Sequence, residues 1–497
     1  YGSVDFVRGS GGLEFFGQID PAHLAPAFGP SAAYALKEFK CQQLPRLNGK
    51  VEATWKGQPK FFAGCNLEVG EFRLGLFPFR SLHLPWVTDG KRWMVQGFRL
   101  QASSGEALDL QLAFDGQAEL KGGLRSDLDP KGLAPLFGPS AIPFWSSIEF
   151  AQPPQVNFRL MGAGFSPDLI RMEGQMKVKG MKYKGVPMDE LSADLVYAAR
   201  EIRATNVRVT SGGGEGKGEI TYTLSPRFVH FQKVESTLPA REFSTVFGEK
   251  VRRTMEPYEF VERPLVTLEG KIDLEEKFRT DMRATGKSAA GLLYTVAGKK
   301  LVFRDVNLEV KIQGKKTTVR TLENKRASLL GGRVGLEVEV EGPAGKKTQH
   351  TRIKLEGVNF GETVGLYFGN DRYEGRLKAD CKLEGPSGSD VWRQWTGEGV
   401  LEVEDGKFPG LGNFAKAINA PVDWIESLGI GESARMEFSL DQGKLNVQKL
   451  KIFSKLIETT GHGVYDISAD RLENFSMKQN LLGPVGVPFM LFSEMLE

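Results

Sequence analysis

Apolar and polar residues alternate one for one through much of this chain. Leu108, Leu110, Leu112 and Phe114 are separated by polar residues or Ala. The same rhythm returns at Leu195 and Tyr197, at Ile220 and Tyr222, and at Leu308, Val310 and Ile312. It continues through Val334, Leu336, Val338 and Val340, then Leu401 and Val403, then Met436, Phe438 and Leu440. A period of two sends every second side chain to one face, so each run predicts a β-strand with one apolar and one wet side. Asp89-Gly90, Asp115-Gly116, Asp405-Gly406 and Gln442-Gly443 read as the turns between them, which predicts antiparallel hairpins.

Helical periodicity is rarer. Phe243, Val246, Phe247 and Val251 fall at i, i+3, i+4 and i+8 and predict a helix over Arg241–Thr254, with Pro239 just before its start. Ser31–Lys40 carries a weaker version. Leu411–Leu428, with Phe414, Ile418, Val422, Trp424, Ile425 and Leu428, predicts a further helical insert kinked at Pro421.

The pattern is organised by a repeat. Asp20 to Ala32 reads DPAHLAPAFGPSA and Asp129 to Ala141 reads DPKGLAPLFGPSA, identical at ten of thirteen positions and 109 residues apart. Weaker copies centre on Phe247-Gly248 and Phe368-Gly369. Pro45, Pro154 and Pro264 each follow the motif Phe by seventeen residues. Such self-similarity predicts a repeat architecture. The units are 1–127, 128–237, 238–357 and 358–497, with about five strands each. The expected fold is mainly β, an elongated repeating β-groove: one curled antiparallel sheet of repeated multi-strand units with short helical inserts. Phe28, Phe137 and Phe247 are expected at equivalent packed positions where each insert meets the sheet. A sheet this long must cover its apolar face or leave it open to a ligand. The alternating residues named in the first paragraph, Leu108 through Leu440, are the candidate lining of such a groove.

Composition narrows the function. Lys plus Arg total 65 against 62 Asp plus Glu, a balance that gives no reason to expect a nucleic-acid partner. The 59 Gly residues fit turns and bulges in a β-rich chain. The first residues lack the apolar core of a signal peptide, and no apolar run reaches the length of a membrane-spanning helix. The longest such run, Leu481–Phe492, contains Pro484 and Pro488. The abrupt ends suggest a fragment of a longer protein whose anchoring segment lies elsewhere. Cys41, Cys65 and Cys381 form no metal-binding spacing. A Cys41–Cys65 bridge is one reading, and buried free thiols are the favoured one.

Catalytic constellations are not found. The five His residues form no HxxxH or HExxH pair, so no metal is expected. Gly212–Gly218 imitates a phosphate loop but runs into the alternating stretch Glu219–Tyr222, which favours a hairpin tip. Gly286-Lys287-Ser288 lacks the upstream Gly of a Walker loop, since position 281 is Asp. Asp127-Leu128-Asp129 is followed by Pro130 and lacks the later ligands of a calcium loop. The expectation is a protein that is not an enzyme and uses no cofactor.

One resemblance is specific. Gly397-Glu398-Gly399-Val400-Leu401-Glu402-Val403-Glu404-Asp405-Gly406 precedes a helical insert, then Ala434–Gly443, Leu450–Ser454 and Thr460–Asp466. This order, with the ending Leu482–Pro488, resembles the AsmA-like C-terminal region of bacterial envelope proteins over about a fifth of the chain. AsmA-like, TamB-like and YhdP-like proteins are tethered to the inner membrane and extend through the periplasm of diderm bacteria. The resemblance implies a hydrophobic groove that carries phospholipid between inner and outer membranes in support of outer-membrane biogenesis. It also implies acyl-chain lipid, both membranes and other envelope proteins as partners, and a periplasmic location. The alternatives are a non-enzymatic scaffold for outer-membrane protein assembly and a structural β-solenoid. An enzyme acting on polysaccharide is disfavoured by the dispersed Trp residues.

Overall fold

The structure, a computed structural model, describes residues 1–20, 38–115, 119–137, 142–163, 168–276, 279–296, 298–322, 326–343, 346–369, 372–387, 392–407, 432–454, 457–467, 469 and 471–481. It is mainly β, with antiparallel pairing throughout and few, short helices. The chain divides into two compact units, Tyr1–Arg253 and Thr254–Glu497.

The first unit opens with β1 (Gly2–Asp5), β2 (Ser10–Gln18) and β3 (Phe39–Cys41). The strands β4 (Arg46–Thr54), β5 (Lys60–Val69), β6 (Phe72–Leu74), β7 (Phe77–Thr88), β8 (Trp93–Ala102), β9 (Ala107–Asp115) and β10 (Glu119–Ser126) follow. A 3-10 turn at Pro130–Phe137 and the short α1 (Ile142–Ser146) come next. Then come β11 (Ile148–Phe150), β12 (Gln155–Gly162), β13 (Ile170–Tyr183), β14 (Val186–Ala198), β15 (Glu201–Ser211), β16 (Gly214–Leu224) and β17 (Arg227–Ser236). The main ladder runs β1, β2, β4, β5, β7, β8, β9, β10, β12, β13, β14, β15, β16 and β17, with two side branches: β3 pairs with β6, which joins β5 on one edge of β7, and β11 joins β12 on one edge of β13. Among the described residues the sheet is open, since β1 pairs with β2 and β17 with β16 but not with each other.

The second unit contains β18 (Glu259–Phe260), β19 (Leu265–Asp273), β20 (Asp281–Ser288), β21 (Leu292–Val296), β22 (Lys299–Phe303), β23 (Val306–Gln313), β24 (Lys316–Thr321), β25 (Ala327–Leu329), β26 (Gly332–Glu341) and β27 (Thr348–Asn359). After a helix at Phe360–Phe368 come β28 (Glu374–Pro386), β29 (Thr396–Lys407), β30 (Ser433–Asp441), β31 (Lys444–Phe453), β32 (Ile457–Asp466) and β33 (Arg471–Leu481). Here β18, β21 and β22 form a separate three-stranded sheet. In the first unit β13 and β14 run straight, but the corresponding hairpin is broken at Gly291. That residue has φ 93°, and a Cβ on it would lie 1.8 Å from the Phe303 carbonyl oxygen.

Among the described residues, six sheet crossings separate α1 from the helical turns at Ala240–Met255, and six more separate those from the helix at Phe360–Phe368, where about five were expected. An even number returns the chain to the edge from which it started, so within each unit these helical elements recur on one rim, while the 3-10 turn at Trp392–Gln394, one crossing further on, lies on the other. The motif residues seal that rim. The Asp129 carboxylate accepts the Lys131 N–H and opens the 3-10 turn at Pro130. Leu128 and Ala134 are buried, and Leu133 packs on the cluster of Val69, Phe72, Leu74, Phe79, Leu100 and Ala102. In the second unit Asn359 caps its helix in both directions, accepting from the Glu362 N–H and donating to the Glu362 carboxylate. Gly369, at φ 68°, closes the other end. Phe360 and Val364 of that helix pack on Tyr373 and Val403, and Leu366 packs on Leu301, Leu329 and Val334.

Several expectations are corrected. The helix over Arg241–Thr254 is two pieces, α2 (Ala240–Phe243) and α3 (Glu249–Met255), joined by a 3-10 turn and broken at Gly248, φ 105°. Phe243 and Val246 pack on the sheet. Phe247 is 53% exposed and is not the anchor, because the 3-10 winding of Ser244–Phe247 carries it off the α-helical stripe. Phe28, the Phe137 side chain and the insert at Leu411–Leu428 lie outside the described residues. So does most of Ser31–Lys40, whose end, Phe39-Lys40, is strand rather than helix. Asp405-Gly406 is not a turn; both residues lie inside β29, and Asp405 adopts φ 50°. Gln442-Gly443 and Gly212-Gly213 are two-residue hairpin tips with positive φ at both positions. Cys41 and Cys65 are free thiols.

Candidate apolar binding face

Antiparallel pairing turns alternation along strands into rows across the sheet. In the first unit one row runs Phe15, Gly49, Cys65, Trp86, Val95, Leu112, Gly122, Leu160, Met172, Tyr197, Ile202, Tyr222 and Val229, directly paired across thirteen strands. At about 4.8 Å per strand that row extends about 58 Å. Beside it runs Phe98, Leu110, Leu124, Phe158, Gly174, Leu195, Ala204, Ile220 and Phe231.

The second unit has its own row. Leu268, Ala284, Val310, Val319, Val338, Thr351, Leu383, Gly397, Leu440, Leu445, Tyr465 and Leu472 pair in turn across twelve strands. Leu336, Ile353, Cys381, Gly399, Phe438 and Val447 run alongside it, and so do Val334, Leu355, Ala379, Leu401, Met436 and Leu450.

All the alternating residues singled out from the sequence fall on these rows or beside them on the same face. Leu108 and Phe114 flank Leu110 and Leu112, and Leu308 and Ile312 flank Val310. Val340 follows Val338, and Val403 pairs with Leu377. Val334, Val403 and Phe438 are buried, while the other seventeen candidates are half-buried. Fully buried side chains concentrate under the helices, and mid-strand positions lack such cover among the described residues. Small residues let large ones lie flat on this face. A Cβ on Gly399 would meet the Phe438 ring at 2.5 Å, and one on Gly49 would meet the Phe15 ring at 2.3 Å.

The sequence reading missed more row members than it named, among them Trp86, Phe98, Leu160, Met172, Ile202, Ile353 and Leu383. Bulges hide them. Extra residues between Val95 and Phe98 and between Ala204 and Val207, with Gly97 at φ 83° and Asn206 at φ 49°, shift the period of two by one.

The opposite face is charged. Cross-strand pairs include Arg99–Asp109 at 3.2 Å, Arg352–Asp380 at 2.8 Å and Lys316–Glu339 at 2.5 Å. A polar concavity of about 410 Å³ opens on this side, lined in part by Arg99, Asp109, Arg125, Asn157, Gln175 and Lys177. Glu309 sits beneath two guanidinium groups, Nε of Arg283 at 2.6 Å and Nε of Arg320 at 2.7 Å, and its side chain is 1% exposed. Burial pushes its pKa up, but the hydrogen bonds from Arg320 and Arg283 outweigh that and hold it below the usual carboxylate value. Glu309→Gln should cost about 2 kcal/mol at neutral pH by leaving two guanidiniums half-paired. A depressed carboxylate stabilises above the unfolded pKa and loses that contribution as pH falls through the folded value. The gap between Glu309→Gln and the parent in urea melts should therefore close below about pH 4; a gap unchanged by acid would overturn the assignment.

Burial disfavours the thiolate form of both thiols on the apolar face. Burial pushes the Cys381 pKa up to about 11, helped by the charge of Asp380. Burial also raises Cys65, against a weaker hydrogen bond with Trp86. Among the described residues, no group of three or more His, Cys, Asp or Glu could hold a metal ion, and no helix is long and apolar enough to cross a membrane. Comparison with known proteins finds no matching family, no matching curated protein and no matching solved structure.

Proposed function

We propose that this protein holds the acyl chains of phospholipid against its apolar face and conducts them along the sheet between the inner and outer membranes. The observation that carries this reading is the unbroken apolar rows, half-buried and without helical cover at mid-strand among the described residues. Monomeric proteins rarely expose contiguous apolar patches beyond a few hundred Å². An apolar face of this length calls for an occupant, and hydrocarbon matches a lining with few hydrogen-bonding groups. The charged face keeps the other side in water. The likeness of Gly397–Pro488 to the AsmA-like C-terminal region supports a periplasmic setting and a role in outer-membrane biogenesis. The test is native mass spectrometry of the purified chain, followed by transfer of fluorescent phospholipid between donor and acceptor vesicles. Co-purified phospholipid and accelerated transfer are expected. A lipid-free protein that accelerates nothing would refute the conduit and leave the scaffold reading.

A further inference from the structure

The rim opposite the helices in the first unit carries three neighbouring hairpin tips of unusual composition. The tip between β1 and β2 shows Phe6 at 77% and Val7 at 85% exposure. The tip between β4 and β5 shows Trp55 at 46%, Phe61 at 44% and Phe62 at 41%. Trp93, at 50%, stands where β8 leaves the third tip. Scattered apolar residues on a surface need no explanation, but these three tips touch one another. Phe6 packs edge-on against Trp55 at 6.5 Å, and Lys56 Nζ donates to the Val7 carbonyl at 3.1 Å. Phe61 lies against Gly90 of the third tip, and Trp93 stacks on Trp86 at 5.0 Å. Trp86 belongs to the long apolar row, so the patch continues into the apolar face.

Charge is interleaved with the rings. The tips contribute Arg8, Lys56, Lys60, Lys91 and Arg92 against two carboxylates, Asp5 and Asp89. Both carboxylates are exposed but engaged with backbone, and Arg8 also pairs with Asp5 at 3.7 Å. Asp5 accepts the N–H groups of Val7 and Arg8, and Asp89 accepts those of Lys91 and Arg92. Five cations against two carboxylates leave the tips net cationic. Exposed Trp and Phe among Lys and Arg suit the boundary between headgroups and acyl chains, where rings enter the interface and cations meet anionic headgroups.

We infer that this three-hairpin rim docks on the surface of a bilayer containing anionic phospholipid. The inference is independent of lipid conduction: a chain that holds no lipid but binds vesicles through this rim keeps it, and the converse result removes it. The experiment is co-sedimentation of the 497-residue chain with vesicles of phosphatidylcholine alone and of equimolar phosphatidylcholine and phosphatidylglycerol. Binding is expected to the mixed vesicles and to weaken with salt. Trp55→Ser combined with Phe61→Ser and Trp93→Ser should lower the partition by about tenfold or more. Lys91→Glu with Arg92→Glu should remove most of the preference for the anionic vesicles. These side chains stand well out of the core, so thermal melts should stay at the parent value. Phe368→Ser, at a 63% exposed site in the second unit, should bind as the parent does. No binding by the parent, equal binding to both vesicles, or an unaffected ring variant would overturn the proposal.

Discussion

Leu336→Asp combined with Val338→Asp should give a protein that folds and melts cooperatively but no longer retains phospholipid. Both positions lie mid-strand in β26, half-buried, opposite Ile353 and Thr351. Were this face a sealed core, two unpaired carboxylates would be trapped there, each at a cost of several kcal/mol, and the unit would unfold. On an uncovered face the new carboxylates reach water whenever lipid is absent, and the hydrogen-bond ladder is untouched. Hydrocarbon crossing a charged, hydrated band faces a penalty of about 2.5–3.5 kcal/mol per charge, so lipid retention should fall at least about tenfold. Glu337→Gln, between them but on the charged face, should keep both fold and lipid. The readouts are circular dichroism melts and native mass spectrometry. An insoluble double variant, or one as lipid-laden as the parent, would defeat the conduit reading for this segment.

Phe79→Ala should do the reverse. Phe79 is 1% exposed, stacked on Phe72 at 4.9 Å and tilted against Phe77 at 5.3 Å on the helix-bearing rim. Removing it leaves a cavity that strands and turn cannot close, with an expected loss of about 3–5 kcal/mol. Leu195→Ala, on the face that lacks helical cover among the described residues, loses partial burial and leaves no enclosed cavity, so about 1 kcal/mol is expected. Urea melts compare the two. Equal losses would mean that the mid-strand face is packed as tightly as the rim.

The contrast between rim and face also explains what could be read in advance. Strands such as β9 and β26 announce themselves because one side meets water and one does not, and that alone sets a period of two. Their apolar members were identifiable individually. Their partners were less so, because pairing is non-local: Gly49 and Gly399 look like breakers in sequence and are the places where Phe15 and Phe438 lie flat. Asp405-Gly406 carries the chemistry of a turn, and the same tolerance for positive φ serves a strand irregularity. Phe247 fits the helical stripe until the 3-10 winding of Ser244–Phe247 carries it off. The charged lattice was legible only as alternation, since nothing local tells Glu309 that Arg283 and Arg320 will enclose it.

The even count of crossings has a consequence for how such a molecule changes length. A single added strand would deliver the next helix to the hairpin rim and reverse the direction of everything downstream. Strands can therefore be gained or lost only in pairs without moving the helices, and a whole repeat of six adds about 29 Å of sheet. Reach is thereby quantised, so a duplication within the gene lengthens the span by a fixed graduation and leaves the two rims in their roles.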